Sequence, residues 1–431
     1  MNLNTYTPSA KVLKKLANYA SGQPVTTKDV PHIAVIVAAE VIDSKKIVEA
    51  VVSGIKNAGG IVFVHYVSFM GYANRINPMT AKFADSFRTI SMSNAQAIIK
   101  TNMVDGVVIV TDCDVTCAGL LDGASAANCP VMVMPLGTCA YSNFLEVAGN
   151  VTAGRLISTE VDDMIKNLPM LKYQTSFFRL LENLGICVAT ASTTPRESGA
   201  QIINATETGK QAVSVANDIK TPRKVFTKSA WESVVDFALV KNTGVAGLHM
   251  LMKLFNANDV KTPYDFIGER IGKLANPNVK VARVTGTAIG GGGYVRLKDK
   301  PVSGFSGKAW VYQNLEDADN ALLGGNIPKH SVIVVQNCVG MNISSLVYAL
   351  RGMGLENDIA IATDGICDAD DVLMVTMITP NSFANEEFAN IQTGDTLDID
   401  VAKGRFNSNV LAKDVKNRAK RNAVTKPKMY F

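Results

Sequence analysis

Two cysteines and three aspartates lie within one short stretch, TDCDVTCAGLLDG, at residues 111–123. Cysteine thiolates are the usual ligands of iron–sulfur clusters, and carboxylates suit harder cations. A cluster held by the protein needs about three or four thiolates that converge on it. Cys113 and Cys117 share a face only if the chain is already helical there, and Cys129 and Cys139 flank the next apolar run. The alternative is that these thiols are small buried apolar side chains, as free cysteines often are.

A second group of chemically capable residues lies in the last third of the chain. Asp364 and Gly365 follow an apolar run, and Asp368, Asp370 and Asp371 come soon after them. A carboxylate beside a substrate can act as a general base, so Asp364 and Asp368 are candidate catalytic residues. A solvated acidic turn is the alternative.

A run of four glycines, Gly290–Gly293, is the third candidate. Backbone amides without side chains can cradle a phosphate or a carboxylate, so we predict an anion pocket from Gly290, Gly291 and Gly292 with the turn at Gly365. The run lacks the lysine and hydroxyl of a P-loop and the strand-to-helix position of a dinucleotide site. A flexible or tightly packed turn at the entrance to a β-rich region is the alternative.

The first 150 residues predict the scaffold that would position Cys113 and Asp114. Apolar runs that suit strands buried on both faces alternate with segments of helical periodicity. The strands are 32–39, 61–66, 106–110 and 130–134, and the helices are 45–58 and 80–100. This alternation predicts an α/β domain with a doubly wound, mainly parallel sheet. Ligands of such sheets bind beyond the carboxyl ends of the strands, where residues 112–116 lie.

The remainder of the chain divides into a helical and a β-rich part. Residues 146–254 are mostly helical in pattern, and from about residue 270 short strand-like segments alternate with glycines. We therefore predict two domains, 1–268 with a helical second half and a β-barrel-like 269–431 with a basic tail.

Composition excludes several classes of protein. The 431 residues are 47% apolar and 19% charged, with a formal net charge of +5, which is typical of a soluble globular protein. The sequence has no run of about 18 apolar residues, so we predict no membrane span. Its seven irregularly spaced cysteines fit free thiols in the cytoplasm. The basic stretch 413–428 predicts a solvated end, and without a recognised motif we do not expect it to bind nucleic acid.

Several short motifs follow one another in a fixed order along the chain. They are Glu49–Val51, Ala58–Gly60, Ala84–Ser86, Cys113–Asp114 with Gly119, Gly325–Pro328, Val332–Val335, Met353–Leu355, Ile359–Gly365, Ile378–Pro380 and Gly394–Asp400. In this order they resemble the dihydroxy-acid dehydratase and phosphogluconate dehydratase family, over most of the chain and with a shorter middle.

The resemblance implies a chemistry. Members of the family dehydrate a 2,3-dihydroxy acid or a sugar acid to a 2-keto acid. They use an iron–sulfur cluster as a Lewis acid, a divalent metal such as Mg²⁺ that holds the substrate, and a serine base. The resemblance also implies a swivelling β/β/α barrel at the carboxyl end, and a homodimer or larger homo-oligomer.

Most of the residues that this chemistry requires are replaced. Cys113 remains at one cluster-ligand position and Asp114 at one metal-ligand position. The other expected positions carry Glu40 and Met170 in place of cluster cysteines, Val115 and Cys338 in place of metal ligands, Asp368 in place of the serine base and Met377 in place of a histidine. We therefore expect no cofactor, although the family would imply an iron–sulfur cluster and magnesium.

Two functions remain open. In the first, the protein no longer catalyses cluster-dependent dehydration and has a binding, regulatory or assembly role, with a small carboxylate or phosphate as a possible ligand. In the second, it is an active hydro-lyase on a small dihydroxy acid or sugar acid, with a rebuilt site from Cys113, Asp114, Asp364 and Asp368. Replacement at the cluster, metal and base positions together favours the first.

Overall fold

The structure is a computed structural model that describes residues 30–39, 41–69, 84–137, 144–157, 176–196, 198–241, 245–255, 281–296, 304–338, 343–367, 369, 371–384 and 386–425. These residues form two compact units. Unit 1 comprises those within Met1–Gly71, Asp85–Thr138 and Leu181–Ala230, and unit 2 comprises those within Tyr72–Ala84, Cys139–Leu180 and Trp231–Phe431. The boundary predicted near residue 268 lies outside the described residues and stays a prediction.

Strands and helices alternate through the first part of the chain. In order they are β1 (His32–Ala38), α1 (Val41–Asn57), β2 (Ile61–Tyr66), α2 (Ala84–Asn102), β3 (Gly106–Thr111), α3 (Asp114–Ala126), β4 (Val131–Pro135), α4 (Phe144–Thr152), α5 (Ser176–Asn183), α6 (Gly199–Asn217), α7 (Pro222–Val225), α8 (Lys228–Lys241) and α9 (Val245–Met252). The predicted helical pattern of residues 146–254 matches α4 to α9 where the chain is described. None of the described helices is long and apolar enough to cross a membrane.

Strands dominate the second part. In order the elements are β5 (Val281–Gly286), β6 (Ile289–Arg296), β7 (Gly304–Tyr312), α10 (Leu315–Leu323), β8 (Ser331–Val335), α11 (Ser344–Met353), β9 (Ile359–Thr363), β10 (Met374–Thr379), β11 (Thr396–Asp400), β12 (Arg405–Ser408) and α12 (Ala412–Thr425).

Unit 1 is built on a four-stranded sheet with strand order β2-β1-β3-β4, and all of its pairs are parallel. Every residue of β1 is buried, which explains why its sequence is apolar without alternation. Helices α1 and α6 cover one face. Their backbones approach each other so closely that a Cβ added to Gly209 would lie only 2.2 Å from the Val51 carbonyl oxygen. Residues of the opposite face such as Ile36 and Ile109 are equally buried. The predicted doubly wound parallel sheet is confirmed.

Unit 2 contains a closed eight-stranded barrel with strand order β10-β6-β5-β12-β11-β7-β8-β9. The pairs β7–β8, β8–β9 and β9–β10 are parallel, so the carboxyl ends of β8, β9 and β10 lie at one edge. One apolar core fills the barrel, and a second lies between its outer surface and helices α10 and α11. The predicted barrel-like fold is confirmed.

The glycine run forms a strand, so its interpretation as a turn is wrong. Gly290–Gly293 lie within β6, which pairs antiparallel with β5 and β10. A Cβ on Gly291 would lie 2.8 Å from the Thr379 carbonyl oxygen, and Gly292 has a φ of +124°, which side chains rarely allow. Close backbone packing at two bulged ladders therefore requires glycine here.

Candidate functional site

The turn from β3 into α3 is held together by the residues that looked like metal ligands. The Thr111 hydroxyl donates to the Ala38 carbonyl oxygen at 2.9 Å and accepts from the Cys113 amide at 3.2 Å. Cys113 is the N-cap of α3, and its Sγ accepts from the amide of Thr116 at 3.5 Å and from its hydroxyl at 3.3 Å. Because the helix begins at Asp114, Cys117 follows one turn later, and both thiols are completely buried.

Burial keeps the neighbouring thiols protonated. The pKa of Cys117 is raised well above its ordinary value, first by burial and then by the nearby Cys187, Cys113 and Asp114. The pKa of Cys187 is raised by burial and by the carboxylate of Glu182. Buried, protonated thiols of this kind match the interpretation as small apolar side chains.

The described residues do not form a site for a single metal ion such as magnesium. Among them, no three His, Cys, Asp or Glu side chains are placed to hold one ion. Glu40, Cys139 and Met170, which the cluster hypothesis also involves, lie outside the described ranges.

The two aspartates at the start of α3 are used differently. Asp114 is buried, and its Oδ1 accepts from the Val115 amide at 2.7 Å, at a helix start where negative charge is favoured. Asp112 forms a 2.7 Å ion pair with Arg196. Val115, at the position where the resemblance places a lysine-derived ligand, is apolar and buried. Val115 therefore cannot add an oxygen ligand to that of Asp114, and a hard cation needs several oxygen ligands at once.

Replacement of Cys113 by serine tests the capping role. Serine keeps an N-cap acceptor, so we expect the free energy of unfolding to stay within about 1 kcal/mol of wild type by urea denaturation. In the control Cys117→Ser, the new hydroxyl is buried within α3 and caps nothing. This substitution should lower the free energy of unfolding by more, about 1–2 kcal/mol. Loss of several kcal/mol in Cys113→Ser alone would indicate that Cys113 holds a cofactor.

At the carboxyl edge of the barrel, Asp364 ties three loops together. It follows β9, and its Oδ1 accepts from the amide of Cys338, which follows β8, at 2.9 Å. Its Oδ2 accepts from the amide of Ser382, which follows β10, at 3.0 Å and also from the Ser382 hydroxyl. The Asp364 side chain is fully buried. The arrangement is that of a loop clamp, in which both carboxylate oxygens already accept hydrogen bonds from the protein.

Gly365 and Cys338, at the same edge, are also poorly suited to the roles predicted for their positions. The Gly365 amide donates to the Thr363 hydroxyl at 2.9 Å, so it does not point at a ligand. Cys338 stands where the resemblance places a metal-binding glutamate. Burial, with the charges of Asp364 and Asp319, raises the pKa of its thiol to about 12, so it is protonated at neutral pH.

The predicted acidic cluster and anion pocket are only partly described. Asp368 and Asp370 lie outside the described residues, and Asp371 forms a 2.9 Å ion pair with Arg351. At the glycine run, a Cβ on Gly290 would lie 2.6 Å from Oε2 of Glu387. An anion placed on Gly290 would therefore meet a carboxylate, which disfavours that position for the predicted pocket.

Sequence reasoning missed a buried carboxyl beside this edge. Asp319 of α10 is 3% exposed, and neither of its carboxylate oxygens has a hydrogen-bond partner among the described residues. Burial raises its pKa to about 7, and the neighbouring hydroxyl of Ser345 offsets part of that rise. The signal was present in the sequence, because Asp319 lies between Leu315 and Leu322 on the apolar stripe of a helix.

Comparison with known proteins agrees with the fold and the ordered motifs. The sequence matches the family models described as dihydroxy-acid/6-phosphogluconate dehydratase N-terminal, over residues 33–251, and C-terminal, over residues 275–430. The chain belongs to the dihydroxy-acid/6-phosphogluconate dehydratase family, as the motifs predicted.

Curated relatives are similar over most of their length but at low identity. The chain is 23% identical to a dihydroxy-acid dehydratase of Halothermothrix orenii, over 86% of this chain and 85% of the relative. It is 24% identical to that of Ruminiclostridium cellulolyticum, over 89% and 87%, and 23% identical to that of Pyrococcus furiosus, over 89% and 86%.

Proposed function

We propose that this protein is a dehydratase-family member that has lost iron–sulfur-dependent dehydration and acts through binding, regulation or assembly. The observation that carries the proposal is the buried thiol of Cys338, which stands where the resemblance places a metal-binding glutamate. The bonds of Asp364 to Cys338 and Ser382 disfavour a rebuilt site that uses this carboxylate as a base. Cys113 supports the proposal, because its thiol caps α3.

Dehydration of a hydroxy acid makes two chemical demands on an active site. The reaction needs a base at the acidic carbon and an acid at the departing hydroxyl. Cys338 offers a sulfur where a hard cation such as magnesium needs oxygen, and Val115 offers no oxygen either. Asp114 and Asp368 remain as the carboxylates around which an active site could have been rebuilt.

The competing hypothesis is an active hydro-lyase on a small dihydroxy acid or sugar acid with that rebuilt site. A turnover assay separates the two. We expect no keto acid from 2,3-dihydroxyisovalerate, 6-phosphogluconate or a panel of sugar acids, even after cluster reconstitution and addition of magnesium. Turnover that disappears in Asp114→Asn or Asp368→Asn, and persists in the control Asp317→Asn, would establish the hydro-lyase and overturn the proposal.

We further propose a cytoplasmic homo-oligomer. The six cysteines of the described residues are buried and form no disulfide, which suits a reducing compartment. Light scattering after size-exclusion chromatography tests the assembly, and a mass of one chain, about 46 kDa, would contradict it.

A further inference from the structure

A cleft of about 360 Å³ opens in unit 2, and two of the residues that line it, Pro328 and Gly394, belong to the ordered motifs. It is lined by Lys308, Ala309, Trp310, Pro328, Lys329, His330, Ser331, Thr393 and Gly394. These residues lie in β7, in the segment that enters β8 and in the turn before β11. The cleft is therefore at the amino end of β8, whereas Cys338 and Asp364 follow the carboxyl ends of β8 and β9.

The backbone around the cleft is fixed by hydrogen bonds. Lys308 pairs with Ser331 in the β7–β8 ladder, and the Gly394 amide donates to the Ala309 carbonyl oxygen at 2.9 Å. His330 adopts a left-handed φ of +59°, and its amide donates to the Asp358 carbonyl oxygen at 2.7 Å. A site whose walls are already ordered loses little entropy when a ligand binds.

The walls combine an apolar surface with positive charge. Trp310, which is half-buried, and Pro328 supply flat apolar faces. Lys308 donates to the Thr396 hydroxyl at 2.9 Å and has no acidic partner among the described residues. Lys329 pairs with Asp358 at 2.8 Å. One ammonium group therefore remains available to an anion.

The nearby carboxylates do not cancel this charge. The pKa of Asp358 is lowered, first by its hydrogen bond to Lys329 and then by the charge of Lys329, so this carboxylate is ionised and paired with Lys329. Asp395, which follows Gly394, is bound on both oxygens by Arg418 at 2.6 and 3.0 Å. The cleft keeps an excess of cationic groups at its rim.

We propose that this cleft binds a small organic anion with a planar apolar body, which stacks on Trp310 and Pro328 while its carboxylate or phosphate meets Lys308. The volume lies within the usual range for small-molecule sites, which are mostly apolar with a few polar groups that fix orientation. Charge-assisted hydrogen bonds from an ammonium group to a carboxylate or phosphate supply the specificity.

The chain has two tryptophans, so its indole N–H spectrum provides both a probe and an internal control. The full-length protein is labelled with ¹⁵N, and the Trp310 signal is assigned by its loss in Trp310→Phe. We titrate 2-naphthoate and 2-naphthyl phosphate, and the tighter of the two identifies the head group. Both should shift the Trp310 signal saturably and leave buried Trp231 unchanged.

Matched ligands and variants decide the outcome. The neutral 2-naphthalenemethanol and inorganic phosphate alone should bind at least about tenfold more weakly. Lys308→Met should weaken naphthoate binding about fivefold, because an exposed cation is partly screened, and Lys413→Met on α12 should leave it unchanged. No shift at Trp310, an equal shift with the neutral alcohol, or full affinity in Lys308→Met would each overturn the proposal.

Discussion

Asp364→Ala is expected to lower the free energy of unfolding of unit 2 by about 3 kcal/mol or more. The substitution leaves the buried amides of Cys338 and Ser382, and the Ser382 hydroxyl, without their acceptor. Each unsatisfied buried donor costs about 1–3 kcal/mol. Both tryptophans, Trp231 and Trp310, belong to unit 2, so urea denaturation followed by tryptophan fluorescence reports on this unit.

Asp371→Asn is the matched control, because its carboxylate also follows β9 but is 45% exposed and pairs with Arg351 at the surface. Its loss should cost less than about 1 kcal/mol. If Asp364→Ala proved as stable as Asp371→Asn, the clamp would be refuted and Asp364 would return as a candidate catalytic carboxylate.

The stability of unit 2 should fall as the pH rises from about 4 to 7, because of Asp319. Its pKa is about 7 in the folded protein, against about 3.9 for an unfolded aspartate, so in this range the folded state holds the extra proton. The stabilisation is fully present below pH 4 and is lost as the pH passes through 7. For one such group the loss is at most about 1.4 kcal/mol per pH unit.

Asp319→Asn isolates this effect. The amide cannot titrate, so the variant should lose the slope and exceed wild type in stability at pH 8. Asp317→Asn on the same helix is the control, because Asp317 is exposed, and it should keep the wild-type slope. The groups that bear on Asp319 are the hydroxyl of Ser345 and, more distantly, the thiol of Cys338. An unchanged slope in Asp319→Asn would contradict the assignment.

The architecture was predictable because it depends on patterns that extend over many residues. The buried run of β1 and its repetition in β3 and β4 indicate a parallel sheet, and the ordered motifs place the barrel. The glycine run was misread because glycine at a turn and glycine at a crowded bulge look alike in sequence. Only the approach of Thr379 to Gly291 distinguishes them.

The site was harder to predict because residue type does not reveal what a side chain is bonded to. The sequence placed Cys113 at the correct strand-to-helix turn. Its role as N-cap, through the Thr116 amide, depends on where the helix begins. The sequence made Asp364 a reasonable candidate base, but it could not show that the amides of Cys338 and Ser382 donate to its carboxylate oxygens. The cleft beside Trp310 is assembled from three separate segments, and the motifs that contain Pro328 and Gly394 do not by themselves indicate a cleft.

Iron and acid-labile sulfide analysis of protein purified without oxygen tests the central claim most directly. Of the cluster positions that the resemblance implies, only that of Cys113 carries a thiol, and this thiol is buried and caps α3. We expect less than about 0.1 iron per chain and no visible absorption, since a cluster needs three or four thiolates. Stoichiometric iron and sulfide that are lost in Cys113→Ser would contradict the account and identify Cys113 as a working cluster ligand.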